Sequence, residues 1–282
     1  MVDNFVGRVG VGAGGPDKLR RQDAVHRTYL ELRDLIVCGA MAPGSPLIER
    51  RVSDVVGASR STVRNALQQL ANEGHVVVSS IGDHYSRFFV GPLTIDEMRE
   101  WYFIFGALDG IAARGAAALP PERRRSLADQ VRMLARAHLD AGTGDDPQYD
   151  RIQHFDAALH GCYVQAGGGP TLRKEHAALR PHVDRYGHFY ATALIRKLPS
   201  EIFQEHCAIA DAIAAGNPDA AERAATTNWR NATVRFEAVM RKWGERGNWE
   251  AIGGQHKDGG SGSGEDVVAS VPERGILAAD MS

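Results

Sequence analysis

The chain has 282 residues, a formal net charge of -2 at pH 7 and 43% hydrophobic residues. That length and apolar content allow two domains, each with a core of its own. The near-zero charge excludes a protein whose overall field attracts nucleic acid, so any DNA contact must come from a local basic patch.

Cysteine spacing and hydropathy indicate the compartment. Cys38, Cys162 and Cys207 are scattered without a CxxC pair, which is typical of free thiols in a reducing environment. No run reaches the roughly 18 apolar residues of a membrane span. The N-terminal residues also lack an apolar stretch of signal-peptide length. We therefore expect a cytoplasmic protein without membrane contact.

Both ends of the chain differ from the middle in composition and in periodicity. Residues 1–21 are rich in Gly, and the segment 246–282 contains a Gly/Ser linker. Neither shows a helical or strand period, so we expect both to be disordered tails. A change of pattern at GPLT, residues 91–94, predicts a first domain over 22–92 and a second over 93–245.

The first domain begins with helical periodicity. An apolar stripe at Val25, Tyr29, Leu32 and Ile36 predicts a helix over 24–37. The stretch APGSPL at 42–47 predicts a turn, and further helices are predicted over 49–56 and 60–72. HVVVSS and SRFFVGPL are rich in β-formers on either side of IGDHY, which predicts a hairpin.

From Thr94 onward the periodicity is almost entirely helical. We predict helices near 94–118, 121–141, 148–167, 170–196, 199–215 and 217–243. Prolines at 120, 170, 199 and 218 stand at or near their starts, where proline is tolerated. The predicted fold class is mostly α, with an N-terminal winged helix-turn-helix followed by an all-helical bundle of six to seven helices.

The third predicted helix has a polar outer face. Val63, Ala66, Leu67 and Leu70 would pack inward, as would Val52, Val55 and Val56 of the helix before it. The residues left outside can all hydrogen-bond, and none is acidic: Arg60, Ser61, Thr62, Arg64, Asn65 and Gln68. The first turns of a recognition helix reach base edges in the major groove.

The chemistry of these side chains suits DNA. Arg pairs with guanine, Asn and Gln pair with adenine, and Ser or Thr holds phosphate. Arg50 and Arg51 would add phosphate contacts, and His84 at the hairpin tip would approach the minor groove, although Asp83 opposes it. Any one of these arginines is equally well interpreted as an ordinary solvent-exposed residue. That interpretation accounts poorly for the combined pattern.

The stretch GAMAPGSPLIERRVSDVVGASRSTVRNALQQLANEGHV resembles the DNA-binding domain of the GntR family of bacterial transcription regulators. The resemblance covers roughly residues 23–92, with Ala58 and His75 as small departures. It implies DNA contacts at Arg50, Arg60, Ser61, Thr62 and Arg64.

Asp156 and His160 stand four residues apart in FDAALHGCYVQAG and would share one helix face. They suit a catalytic pair, part of a metal site, or two hydrogen-bonded polar residues. The second domain resembles the FCD effector domain of FadR-type regulators, with DAALHGCYVQAGGGPTL at the place of a D-x-x-F-H motif. Many FCD domains hold a divalent metal with one Asp and three His.

The resemblance assigns three ligands to Asp156, His160 and His206, and the fourth position is Asn228 instead of His. Such a set suits Zn, Ni or Mn, with weakened binding at the amide. The alternative is a metal-free pocket in which Asp156 and His160 bond to each other and to Asn228, because a buried carboxylate needs a partner.

The resemblance also implies an effector pocket. FCD first helices often carry an R-x-x-x-E step, whose positions here are Phe105 and Asp109. Loss of that arginine weakens the case for an acidic ligand, but Arg180, Arg185 and His188 are candidate substitutes for binding an organic acid or similar molecule. We interpret His154, His176 and His182 as surface residues.

The leading hypothesis is a homodimeric transcription regulator, such as a repressor, that binds double-stranded operator DNA and responds to a small effector. One alternative is a metal-dependent hydrolase in which Asp156, His160 and His206 hold an ion that activates water. Another keeps the DNA-binding head but makes the second domain a metal-free binder of acyl or aromatic ligands.

Overall fold

The computed structural model describes residues 16–81, 85–143, 149–195 and 199–247. The first domain contains α1 (Pro16–Val37), β1 (Pro46–Leu47), α2 (Glu49–Val56), α3 (Arg60–Asn72), β2 (Val76–Ile81) and β3 (Tyr85–Val90). The second contains α4 (Ile95–Ala117), α5 (Pro121–Gly142), α6 (Tyr149–Gly167), α7 (Pro170–Ile195), α8 (Pro199–Ala215) and α9 (Pro218–Trp243). This order confirms the predicted fold class. None of the described helices is long and apolar enough to cross a membrane.

The described part of the chain extends slightly into both segments predicted as tails. Helix α1 begins at Pro16 rather than at the predicted residue 24, since proline is well tolerated in the first turn of a helix. Near the other end, Arg246 pairs with Leu93 as an isolated antiparallel bridge. Residues 1–15 and 248–282 lie outside the described ranges.

The wing is a three-stranded antiparallel sheet in the order β1-β3-β2 rather than a simple hairpin. Pro46 and Leu47, inside the predicted turn, pair with Phe89 and Phe88 of β3. A strand of two residues is too short for an alternating pattern to reveal it in the sequence.

The core of the first domain joins α1, α3 and the sheet. Val90 of β3 is fully buried there, together with residues of the predicted stripes: Leu32, Ile36, Val63, Ala66, Leu67 and Leu70. Val55 differs from the prediction because it is 66% exposed. The short helix α2 buries only Val52 and partly buries Val56, so Val55 falls on its outer side.

Small side chains let the helices of the second domain approach closely. The main core cluster is rich in alanine: Ala112, Ala113, Ala116, Ala117, Ala128, Ala135, Ala210, Ala221 and Ala225. At Gly167 a Cβ atom would lie 2.2 Å from the carbonyl oxygen of Ala112, so α6 meets α4 backbone to backbone. This close packing brings polar residues of several helices together inside the bundle.

A stack of aromatic rings joins the two domains. His182 of α7, interpreted from the sequence as a surface residue, is 4% exposed and stacks between His75 and Trp101, with centroids 4.0 Å away on each side. Burial lowers the pKa of His182 to about 4 and that of His75 to about 2, so both rings are neutral at pH 7. Arg185 of the same helix donates to the carbonyl oxygen of Gly91 at 2.6 Å. Helix α7 is thus attached to the end of the first domain.

Candidate DNA interface and metal centre

The outer face of α3 is exposed and polar. Ser59 caps the helix, because its side chain accepts a hydrogen bond from the backbone N–H of Thr62 at 3.2 Å. The residues of the first two turns that face outward are those predicted to contact DNA: Arg60, Ser61, Arg64 and Asn65. Their arrangement allows several donors to enter a groove together.

Thr62 is the exception among the predicted contacts on this helix. It is 9% exposed, and its hydroxyl lies 2.8 Å from that of Ser59. Because the side chain is engaged in the cap, Thr62 fixes the start of α3 instead of facing outward. His84, at the predicted wing tip, lies outside the described residues.

A groove beside α3 is lined by positively charged side chains. Arg60 and Arg64 of α3, Arg50 of α2 and Arg87 of β3 line it together. Arg87 is missing from the sequence-predicted contacts, because strand pairing and not a local motif brings it next to α2. This cluster is the local basic patch that a chain of near-neutral charge needs for binding DNA.

Arg64 is held at the groove by Glu49. Its Nε and Nη2 atoms donate to the two carboxylate oxygens at 2.7 and 3.0 Å. Arg64 remains 67% exposed in its side chain. Exposed ion pairs contribute only about 0–1 kcal/mol, so Glu49 can orient the guanidinium without preventing an exchange for DNA.

A second polar cluster lies inside the bundle. Asp156 and His160 of α6 and His206 of α8 bring their ligand atoms within 4.8 Å of one another. Nε2 of His160 lies 3.6 Å, and Nε2 of His206 lies 3.8 Å, from Oδ1 of Asp156. Ligands about 2.0–2.1 Å from a tetrahedral ion lie roughly 3.4 Å apart. Small movements would therefore close the three residues on one ion.

Asp109 of α4 holds His160 in one orientation. Its carboxylate is fully buried, and Oδ2 lies 2.5 Å from Nδ1 of His160. Tyr163 and Trp229 donate to the same oxygen at 2.6 and 2.7 Å, while Nε2 of His176 lies 2.9 Å from Oδ1. With Nδ1 of His160 directed at a carboxylate, Nε2 is the nitrogen left for a metal.

The surroundings shift the pKa values of the two imidazoles in opposite directions. Burial disfavours the charged form of His160, but Asp156 and Asp109 outweigh it and raise its pKa to about 9. Burial, with His160 nearby, lowers the pKa of His206 to about 3, so this ring is neutral at pH 7. Burial also acts against ionised Asp156, yet His160 and Arg180 hold the pKa of this carboxyl well below its usual range.

Asn228 lies in the cavity wall, at the position that the resemblance gives to a fourth ligand. Its Nδ2 donates to Glu205 at 2.9 Å, and Glu205 also accepts from Asn231 and, through both oxygens, from Arg235. This network holds the amide in place. Its oxygen is the atom that could act as a metal ligand.

A cavity opens beside the cluster, and one predicted effector contact lines it. Arg180 donates to Asp184 at 2.6 Å and to Asp156 at 3.3 Å. Phe105 is fully buried and lies under Arg180, whose guanidinium carbon is 5.8 Å from the ring centre. Phe105 therefore supports the cavity wall from behind.

The other three predicted effector contacts are directed elsewhere. Asp109 is engaged with His160, and Arg185 with the carbonyl oxygen of Gly91. His188 lies next to Gly39, just beyond the end of α1. Helical periodicity identifies the helix on which a residue lies but not which neighbouring element its side chain meets.

Two histidines of the polar cluster were missed or misplaced by sequence reasoning. His176, interpreted as a surface residue, is 7% exposed and contacts Asp109. His138 of α5 is 5% exposed and lines the cavity. A signal for His138 did exist, since the buried stripe of α5 continues to it at helical spacing: Leu127, Val131 and Ala135.

An exposed cationic recognition helix in a winged head, joined to a helical domain with a polar cavity, defines a DNA-binding transcription regulator. Residues 24–81 match the bacterial regulatory proteins of the gntR family, and residues 100–231 match the FCD domain. The chain belongs to the GntR family, and its second domain is an FCD domain.

Relatives are named as regulators. The chain is 29% identical over 206 residues to an uncharacterized HTH-type transcriptional regulator in an unstable DNA locus of Streptomyces ambofaciens, covering 72% of this chain and 80% of that protein. It is 25% identical to the HTH-type transcriptional repressor RspR of Escherichia coli K12, covering 77% and 89%. Among solved structures, E. coli McbR/YncC shares the fold with a TM-score of 0.59 at 16% identity, covering 78% and 98%. The hydrolase hypothesis gains no support from these names.

Proposed function

We propose that this regulator binds an operator with two half-sites as a homodimer, and that a divalent metal and a small effector in the bundle change its affinity for DNA. The observation that carries the proposal is the groove in which Arg50, Arg60, Arg64 and Arg87 meet beside the exposed first turns of α3. An α-helix fits the major groove, where phosphate contacts fix its register and base contacts give specificity.

The proposed DNA contacts divide by position. Arg60, Arg64 and Asn65 project from the part of a recognition helix that reaches base edges. Arg50 and Arg87 flank that helix and suit phosphates, and Ser61 at its start suits a phosphate as well.

Selection of bound fragments from genomic DNA tests the proposal. The purified full chain should enrich fragments that share a palindromic half-site and bind them at least about 1,000-fold more tightly than unrelated DNA. Heparin serves as the control, because it carries negative charge without base edges. Equal binding to heparin and to the selected fragments would contradict a sequence-reading role for α3.

In the bundle, the proposed metal ligands are Asp156, His160 and His206. Carboxylate and neutral imidazole suit Zn²⁺, Ni²⁺ or Mn²⁺. Asp109 supports this assignment, since metal-binding histidines commonly direct their second nitrogen to a carboxylate. A bound ion would supply a positive centre between α6 and α8.

The cavity has features that would receive an effector and transmit its binding. Arg180 suits an organic acid, although such a ligand must displace Asp184 or Asp156 from the guanidinium. Arg180 shares α7 with His182 and Arg185, which contact the first domain. A shift of α7 would therefore reach the DNA-binding head, and coupling of this kind is typically about 1–3 kcal/mol.

Exposed apolar side chains of α4 and α9 form the proposed dimer face. Phe103 is 71% exposed, Ile111 52% and Val234 69%. Phe103 and Ile111 lie on the same side of α4, about two turns apart, and α9 packs beside α4. Phe103 and Val234 line one groove between the two helices. Exposed apolar side chains on neighbouring helices suit a twofold contact with a second copy.

Phe103→Asp should convert the dimer to a monomer at micromolar concentration, because it places a charge in the apolar contact. Operator affinity should then fall roughly 100-fold, since the second head no longer binds at high effective concentration. Light scattering after size-exclusion chromatography measures the mass. Met133→Asp on α5, where the native side chain is 63% exposed, is the matched control and should change neither property. A dimer that survives Phe103→Asp would place the interface elsewhere.

A further inference from the structure

A buried histidine with no assigned role lies next to the proposed metal ligands. His138 of α5 is 5% exposed and lines the same cavity as Asp156, His160 and His206. Its Nδ1 atom has no hydrogen-bond partner among the residues that the structure describes. Buried polar atoms of proteins are nearly always bonded, so such an atom in a cavity wall calls for an explanation.

The separation of the rings suits a shared ion. The ring centres of His138 and His206 are 5.4 Å apart at an interplanar angle of 81°, and those of His160 and His206 are 5.6 Å apart at 83°. Two imidazoles on one tetrahedral ion have centres roughly 5 Å apart, because each nitrogen lies about 2.0 Å from the ion. His138 is therefore placed relative to His206 much as the proposed ligand His160 is.

His138 also lies on a suitable helix. Helix α5 packs against both α6 and α8, which carry the three proposed ligands. His138 is not in the group whose ligand atoms all lie within 4.8 Å of one another. Its side chain must therefore rotate toward the ion, and the adjoining cavity provides the space for that rotation.

The alternative fourth ligand is less suitable. Asn228 offers an amide oxygen, which binds Zn²⁺ or Ni²⁺ more weakly than imidazole does. Its side chain is also fixed by the hydrogen bond to Glu205 at 2.9 Å. An ion held by Asp156, His160 and His206 would thus gain more from His138 than from Asn228.

We infer that His138 supplies the fourth protein ligand of the divalent metal, in place of the histidine that the family resemblance expects at position 228. The inference rests on the proposed metal site and adds a third helix to it, so that the ion joins α5, α6 and α8. Three imidazoles and one carboxylate make a complete tetrahedral set.

X-ray absorption of the Zn²⁺-loaded full chain counts the imidazoles, and competition with a chelator measures the affinity. We expect three imidazoles in the wild type and two in His138→Ala, with the affinity of the variant lowered roughly 100-fold. Asn228→Ala is the matched control at the competing position and should keep both the count and the affinity of the wild type. Adding Asn228→His to His138→Ala should restore the third imidazole.

The outcomes separate this inference from the proposed function. Two imidazoles in a wild type that binds Zn²⁺ through His160 would overturn the role of His138 and leave the metal site itself intact. A wild type that binds no Zn²⁺, or binding that survives His160→Ala, would overturn the metal site and this inference with it. If His138→Ala does not fold, the wild-type count alone decides between three imidazoles and two.

Discussion

Replacing Arg60 or Arg64 with alanine should weaken binding to the selected operator by about 1–3 kcal/mol, roughly 5- to 150-fold. Both side chains line the groove beside α3, and Glu49 orients Arg64 through two hydrogen bonds of 2.7 and 3.0 Å. A base read by two donors of one arginine contributes specificity as well as affinity. Each variant should therefore also lose discrimination at one base pair, which fluorescence anisotropy on operator variants measures.

Arg50→Ala distinguishes phosphate contacts from base contacts. It should weaken binding to every DNA sequence alike and reduce the salt dependence by about one charge, since it removes a phosphate partner. Arg125→Ala, at an exposed position of α5, is the matched control for loss of positive charge and should have little effect. Unchanged binding in all three head variants would place the recognition surface elsewhere.

Local pattern was sufficient to predict most of the helices of this fold. Helix α3 spans Arg60–Asn72, as predicted, because Ser59 caps its start and Val63, Leu67 and Leu70 form one continuous buried stripe. The helices of the second domain begin close to the predicted positions because α5, α7, α8 and α9 each start at a proline. These signals act within a few residues of each other, so the sequence displays them directly.

Contacts between distant elements were predicted less well. Strand β1 exists only because Pro46 and Leu47 find partners in β3. Arg87 reaches the basic groove through the same sheet. Neither the strand β1 nor the position of Arg87 can be predicted from a local periodic pattern, because both depend on where β3 packs in the folded chain.

The polar cluster inside the bundle also contains contacts between distant helices that the sequence did not predict. The structure brings Asp156, His160 and His206 together, as the resemblance implied. It also places Asp109 of α4 and His176 of α7 around His160, and each of these comes from a different helix. A lone histidine in a polar stretch is more simply interpreted as a surface residue, so such partners emerge only when the helices pack.

Asp109→Asn should destabilise the bundle. The carboxylate accepts from Tyr163 and Trp229 and contacts the rings of His160 and His176, all within 2.9 Å. An amide has one acceptor oxygen, so its NH₂ group must face at least one of these donors. We expect a loss of about 3 kcal/mol in the free energy of unfolding. The Tm of the apo protein, measured by calorimetry, should fall by roughly 6–12 °C.

The same substitution should lower metal affinity through His160. Metal binding requires His160 to be neutral. Without a carboxylate at Nδ1, the neutral imidazole has no fixed tautomer, and part of that population carries its proton on Nε2, the nitrogen that faces Asp156. Loss of such a supporting contact typically lowers metal affinity about 10- to 100-fold. Titration of Zn²⁺ against a chromophoric chelator measures the change, and His160→Ala, which removes the ligand itself, sets the lower limit.

His176→Phe separates these two effects of Asp109. His176 contacts the opposite carboxylate oxygen at 2.9 Å, and its ring packs 4.2 Å from that of Phe105, but it is not part of the ligand cluster. A phenylalanine keeps that packing and removes the hydrogen bond, so the Tm should fall while Zn²⁺ affinity stays that of the wild type. If His176→Phe lowers the affinity as much as Asp109→Asn does, Asp109 acts by holding the helices together and not by fixing the tautomer of His160. If only Asp109→Asn lowers it, the carboxylate on α4 prepares a nitrogen on α6 for a metal, a relation that the spacing of residues along the chain does not contain.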